Sequence, residues 1–232
     1  MNDTLVSRAR LRRRIFSKFK DRGKRRYVRG KLWIDPVYQG AVPVFAGSPH
    51  PLLDIGCGMG LLGMYLAAHG HRPEYLGVDS DPRKIASARA FATDGHPHMS
   101  FLQTDAGNLP DFSGDVALLD ALHYMPADLQ QRVLAAAAER VAPGGVLMVR
   151  NCLKDSSWRY WATVIEEKFL KWSRWMQVGA QHYPTREEIV QPLQQHGLQV
   201  SVEPLWGFTP YNSYQILARR PLPVTEGNLK KQ

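Results

Sequence analysis

The chain of 232 residues, 44% hydrophobic and 22% charged, is long enough for one domain with a sizeable core. No stretch approaches the roughly 18–20 apolar residues of a membrane span, and the charged opening residues hold no signal-peptide core. Two cysteines, Cys57 and Cys152, make no disulfide framework, so a reducing cytoplasm is expected. No His and Cys cluster has metal-ligand spacing, so no metal is expected.

The net charge of +9 belongs to one end. Residues 8–31 hold thirteen Lys and Arg against one acid, Asp21, a local +12 that leaves the remainder at −3. Within this arm Leu11, Ile15 and Phe19 recur at four-residue steps, with Leu5, Ala9 and Phe16 nearby, and cations cover the rest. That pattern reads as a basic amphipathic helix suited to an anionic membrane surface. An acidic acyl carrier protein or RNA would answer to the same charge, and so would plain solvation. Residues 1–49 are therefore read as arm and lead-in, the lead-in from Leu32 to Pro49 being rich in Pro and Gly.

A domain over 50–220 follows, then a tail over 221–232. Leu52-Leu53-Asp54-Ile55-Gly56-Cys57-Gly58-Met59-Gly60 is an apolar strand that ends in an acid and breaks into three alternating glycines. Glycines at that spacing let backbone approach a ligand closely. An acid directly ahead of them does not suit a phosphate loop, and Leu61 fills the place where a dinucleotide fingerprint needs a small residue. Further strands end at Asp79, Asp105 and Asp120-Ala121, then at Asn151, with helices expected over 60–69, 82–93, 127–141 and 185–196. Asp79 lies close to the offset at which an acid holds a ribose. Strand alternating with helix implies a parallel sheet. Leu198 to Leu205 and Ser213 to Arg219 are two last strands.

Between the fifth strand and the last helix sits an insertion, 153–183, where Trp158, Trp161, Ile165, Phe169, Trp172 and Met176 recur at helical steps. The insertion holds four of the six tryptophans, Trp175 being the fourth. It is read as an aromatic lid over a pocket.

Asp54 to Gly60, Val78-Asp79, Gln103-Thr104-Asp105-Ala106, Asp120 to Pro126 and Ala142-Pro143-Gly144-Gly145 resemble, in order, five motifs of the class I S-adenosylmethionine-dependent methyltransferases. The resemblance is close over 51–151 and loose to Arg220. It implies an α/β, Rossmann-like fold: a mostly parallel seven-stranded sheet of order 3-2-1-4-5-7-6, strand 7 antiparallel, helices on both faces. It implies S-adenosyl-L-methionine as cofactor, leaving S-adenosyl-L-homocysteine. Asp54, Gly56, Gly58 and Gly60 would take its amino acid tail. Asp79 with Ser80 would take the ribose, and Asp105 with Ala106 the adenine. Asp120 lies beside the methyl.

A hydroxyl acceptor profits from a base, for which His123 and His182 are the candidates; a carboxylate needs none. Asp120-Ala121-Leu122-His123 departs from the Asn/Asp-Pro-Pro-Tyr/Phe of nucleic-acid N-methyltransferases. The lid, with Trp206-Gly207-Phe208-Thr209-Pro210-Tyr211, favours a flat or lipophilic acceptor. The run from Trp206 to Tyr214 loosely resembles methyltransferases of aryl-polyene and pigment pathways. The expected activity is O-methylation of a lipophilic aromatic or acyl-chain molecule, with the protein peripheral at the inner membrane face. RNA methylation, with the arm on the phosphate backbone, is the alternative.

Overall fold

A computed structural model describes residues 12–13, 15–71, 73–93, 96–172, 179–207 and 209–223, with side chains over the same ranges apart from 167–172. Leu5, Ala9, Leu11, Trp175, Met176, Phe208 and the tail beyond 223 lie outside the described residues, as do the side chains of Phe169 and Trp172.

The strands are β1 (Leu52–Ile55), β2 (Tyr75–Asp79), β3 (Met99–Gln103), β4 (Asp115–Leu119), β5 (Val146–Cys152), β6 (Gln199–Pro204) and β7 (Ser213–Arg219). They form one sheet of order β3-β2-β1-β4-β5-β7-β6. Every pairing is parallel except those of β7. This is the expected α/β topology. The helices are α1 (Arg22–Ile34), α2 (Val37–Phe45), α3 (Leu61–Ala68), α4 (Pro82–Ala92), α5 (Ala127–Glu139), α6 (Trp158–Trp172) and α7 (Arg186–Gln195).

Helices cover both faces of the sheet. Val133 and Leu134 of α5 and Ile189 and Leu193 of α7 pack with Leu53, Val116, Leu118 and Ile216 on one side. Phe45, Leu62, Leu66 and Ile85 pack with Leu52, Ala117 and Met148 on the other. Central strands covered on both faces read as near-continuous apolar runs, as β1 and β4 do.

The N-terminal region differs from the expected arm and lead-in. Leu61 to Ala67 of α3 are buried on every side, and a helix apolar all round needs cover beyond the sheet. Ile15, Phe19, Val28 and Leu32 provide it, packing on Leu61, Met64 and Tyr65. The apolar stripe expected to meet lipid is thus spent on the protein itself. The apolar repeat is helical where it is described, at 12–13 and 15–17, and α1 starts anew at Arg22, where Asp21 caps it by accepting from the Lys24 N–H at 2.7 Å.

The lead-in is helical too. Val37, Ala41 and Phe45 recur at four-residue steps and are buried, which outweighs the breakers Gly40 and Pro43. At Gly40 a Cβ would stand 2.8 Å from Gln215 Oε1, so glycine lets α2 close on β7.

Candidate active site

The order of the strands brings the carboxyl ends of β3, β2, β1 and β4 side by side. Asp105, Asp79, Asp54 and Asp120 therefore share one edge, where open α/β sheets bind ligands. The three loop glycines all have positive φ, +75°, +56° and +77°, but their surroundings differ. A Cβ at Gly56 would meet Ala121 at 2.9 Å, and one at Gly60 would meet the Phe101 ring at 2.8 Å. At Gly58 it would meet no protein atom within 4 Å. Gly56 and Gly60 serve packing; Gly58 fronts open space.

Asp79 fastens this loop. Its Oδ2 accepts from the Gly58 N–H at 2.9 Å and its Oδ1 from the Asp81 N–H at 2.8 Å. A carboxylate has lone pairs to spare beyond these two. Asp54, expected to accept from the ammonium directly or through water, is buried. It is 3% exposed, beneath the loop, and accepts a hydrogen bond from the Tyr75 hydroxyl. Burial pushes its carboxyl up to about 7, against the hydrogen bond from Tyr75. Ser80 and Asp105 are exposed, and Asp105 Oδ1 accepts from the Gly107 N–H at 2.8 Å. Ala106 packs against the core.

Asp120, expected at the cofactor's methyl end, is already paired. It is the one non-glycine residue with positive φ, 56°, among the described residues. Its Oδ1 accepts from Arg150 of β5 and its Oδ2 from Lys31 of α1 at 3.1 Å. Lys31 also reaches Asp35 at 2.9 Å, and Arg150 reaches Asp35 at 3.5 Å and Ser213 at 2.9 Å. Burial opposes charge on Lys31, but Asp120 and Asp35 outweigh it and hold the ammonium's pKa well above its ordinary value. Burial likewise opposes charge on Asp120; Arg150 and Lys31 prevail and lower its pKa. This quartet has no trace in local sequence pattern, since Lys31 and Asp120 are 89 residues apart.

His123 lies in a 3₁₀ turn after β4, Leu122–Tyr124, and is buried. Its Nδ1 stands 2.8 Å from Asn151 Oδ1. The Asn151 amide is oriented by donation from Nδ2 to the Cys152 carbonyl at 2.9 Å. Oδ1 is thus the acceptor, Nδ1 carries the proton, and Nε2 is the basic nitrogen of the neutral ring. Asn151, on β5, was not foreseen; its only signal was its place at a strand end. Gln130 was missed as well. From α5 its Nε2 donates to the carbonyls of Leu122, Met125 and His182 at 2.9, 3.0 and 2.8 Å, clamping the turn.

His182 is turned elsewhere. Its Nε2 pairs with Glu188, 3.1 Å from Oε2, and Glu188 closes the capping box of α7 with Thr185. The lid also differs from expectation. Trp158 and Trp161 of α6 face solvent, while Tyr160 and Val164 face inward onto Cys152 and Tyr183. Tyr183 stacks with its ring parallel to His123, centroids 6.2 Å apart, and Tyr160 meets Tyr183 edge-on at 5.6 Å. The aromatics around His123 are tyrosines.

Comparison with known proteins bears on this geometry. Residues 52–145 match the family model described as "Methyltransferase domain". A curated relative, the ubiquinone biosynthesis O-methyltransferase of Sinorhizobium fredii, is 29% identical over 196 residues, covering 75% of this chain and 77% of its own. Residues 52–145 are a class I S-adenosylmethionine-dependent methyltransferase domain. The trans-aconitate 2-methyltransferase of Streptomyces coelicolor is 32% identical over 115 residues, 47% of this chain, which spans only 37% of that protein. Among solved structures, the magnesium protoporphyrin IX methyltransferase of Synechocystis, with bound SAH, superposes with a TM-score of 0.63. It is 20% identical and covers 94% of this chain and 95% of its own. The relatives' names differ in acceptor.

The methyltransferase domain's glycine loop suits its cofactor. Gly58 presents backbone to open space, and Asp79 holds it there. Among the described residues no group of three His, Cys, Asp or Glu converges as a metal site, and no helix is long and apolar enough to cross a membrane.

Proposed function

We propose that this methyltransferase O-methylates a small lipophilic acceptor, aromatic or acyl-chain, at or near a membrane. The observation that carries the reading is the His123–Asn151 pair at the carboxyl edge of β4 and β5, with Tyr183 parallel to the His123 ring and Tyr160 edge-on behind Tyr183. The name of the 29% identical relative, an O-methyltransferase, supports it.

S-adenosylmethionine supplies a methyl group already activated on a sulfonium. The chain then has three tasks. Gly58 backbone and Asp79 hold the donor, Asp79 through the lone pairs its two backbone contacts leave over. Asp105 and Ala106 border the adenine end. Asp120, neutralised by Lys31 and Arg150, fixes the shape of the methyl end. The inward tyrosines hold the acceptor and exclude water, which is most of what in-line transfer requires. His123 Nε2 takes the acceptor's hydroxyl proton as the new O–C bond forms, and Asn151 keeps Nδ1 protonated so that Nε2 remains the base.

The test offers isotopically methyl-labelled cofactor with a lipid-soluble extract and, separately, with total RNA. Label in the lipid-soluble fraction, lost in His123→Gln, is expected. Label in RNA would replace this reading with phosphate-backbone recognition. In kinetics, His123→Gln is expected to lower kcat by about 10²–10⁴ with cofactor affinity intact. An unchanged kcat would remove the base.

A further inference from the structure

Six of the eight large apolar side chains that stand exposed among the described residues lie on just two helices. They are Tyr27, Trp33 and Ile34 on α1 and Trp158, Trp161 and Ile165 on α6, each 44–65% exposed. On α6 they fall at three- and four-residue steps, the face opposite Tyr160 and Val164. On α1 the inward Val28 and Leu32 leave an outward face where Arg22, Arg26, Arg29 and Trp33 form a row. α1 contains no acid.

The two helices approach one region of the surface. Tyr211 donates to Glu166 of α6, and Lys31 and Asp35 at the end of α1 lie near enough to act on the same hydroxyl. Arg159 lies over the Trp158 and Trp206 rings at 4.9 and 4.4 Å, and Arg12 over Trp33 at 5.3 Å, so guanidinium and indole are paired on both helices.

We propose that the outward faces of α1 and α6 together dock on an anionic lipid bilayer, presenting the acceptor site to it. The inference rests on the lipophilic-acceptor reading and names its partner surface. A bilayer fits these residues better than a polar partner does. Indole and phenol rings settle at the headgroup level, isoleucines reach the acyl boundary, and arginines meet anionic headgroups while their stems lie on apolar surface. The acid-free α1 gives the charge complement. This surface is not the stripe of Ile15 and Phe19, which is buried against α3.

The test is sedimentation of the full chain with phosphatidylcholine vesicles and with vesicles containing phosphatidylglycerol. Two surface variants accompany it: Trp158→Ser/Trp161→Ser/Ile165→Ser, and Arg22→Gln/Arg26→Gln/Arg29→Gln. Cofactor titration, expected unchanged, shows that each is folded. Binding to the anionic vesicles only, weakened at least about tenfold in either variant, supports the proposal. Absence of vesicle binding overturns it. So does binding indifferent to the α6 variant, which is electrostatics alone, and so does capture of RNA in place of vesicles. A dimer that the α6 variant dissociates, without vesicle binding, assigns the face to a second copy and overturns it too. Methyl transfer to a detergent-dispersed lipophilic fraction separates the two readings: transfer without docking leaves the lipophilic acceptor standing and removes the membrane, and docking without transfer leaves the surface standing.

Discussion

Asp54 shows how one side chain's setting changes its chemistry. In the unfolded chain its carboxyl titrates near 4, whereas burial under the glycine loop pushes it up to about 7. Folding thus favours the protonated form. The stability this group contributes is complete below about pH 4 and is lost as pH rises towards 7. Asp54→Asn stays uncharged throughout, so it should gain on the parent between pH 5 and 8, by on the order of 2–4 kcal/mol. Thermal melts of both proteins without cofactor read this directly, and a pH-independent difference would refute it. The loop glycines give a second contrast. Gly58→Ala should fold with a backbone penalty of about 1–2 kcal/mol yet bind cofactor weakly in titration. Gly60→Ala, driven into Phe101, should lose more stability than Gly58→Ala in the same melts. The sequence presents these glycines as equivalent. Only Ala121, just after β4, and Phe101 of β3 tell them apart.

The helices before β1 were the least legible elements, for a physical reason. Composition marks Arg22 to Lys31 as a charge run, and such runs are ordinarily solvated. Nothing local reveals that Lys31 answers Asp120 or that Leu32 answers α3. Leu32→Ala should cost about 2–4 kcal/mol, as a buried large-to-small change does. Lys31→Met should cost less, about 1–2 kcal/mol, because the ammonium is partly exposed and Arg150 still serves both acids. Denaturant titrations of the two variants would rank them, and the reverse order would count against the packing account. By contrast α7 was readable to within a residue. Thr185, Glu187 and Glu188 are a local capping signal whose chemistry needs no distant partner.

For the molecule as a whole, the sheet was legible because its signals repeat. The parallel strands are short and mostly apolar, and four of them end at an acid on the same edge. Seven strands in the order found follow from that alternation together with the family resemblance. The orientation of α6 was not legible, because an amphipathic period does not say which aromatics face in; Tyr160 does and Trp161 does not. A chain beginning at Pro36 tests the integration of the N-terminal helices. With Leu61, Met64 and Tyr65 uncovered and the Asp120–Arg150 pair opened, it should be insoluble or lose cooperative unfolding by circular dichroism. A soluble, cooperatively melting product would show α1 to be an appendage.

The Lys31 ion pair with Asp120 also dictates an order of events during synthesis. At about 5–20 residues per second, roughly four to eighteen seconds separate translation of the lysine from that of the aspartate it must join, 89 residues later. For that interval Val28 and Leu32 have only the α3 segment to pack on, and the sheet edge that receives Lys31 is not yet made. A ribosome-bound chaperone has its longest opportunity there, at α1 rather than in the sheet.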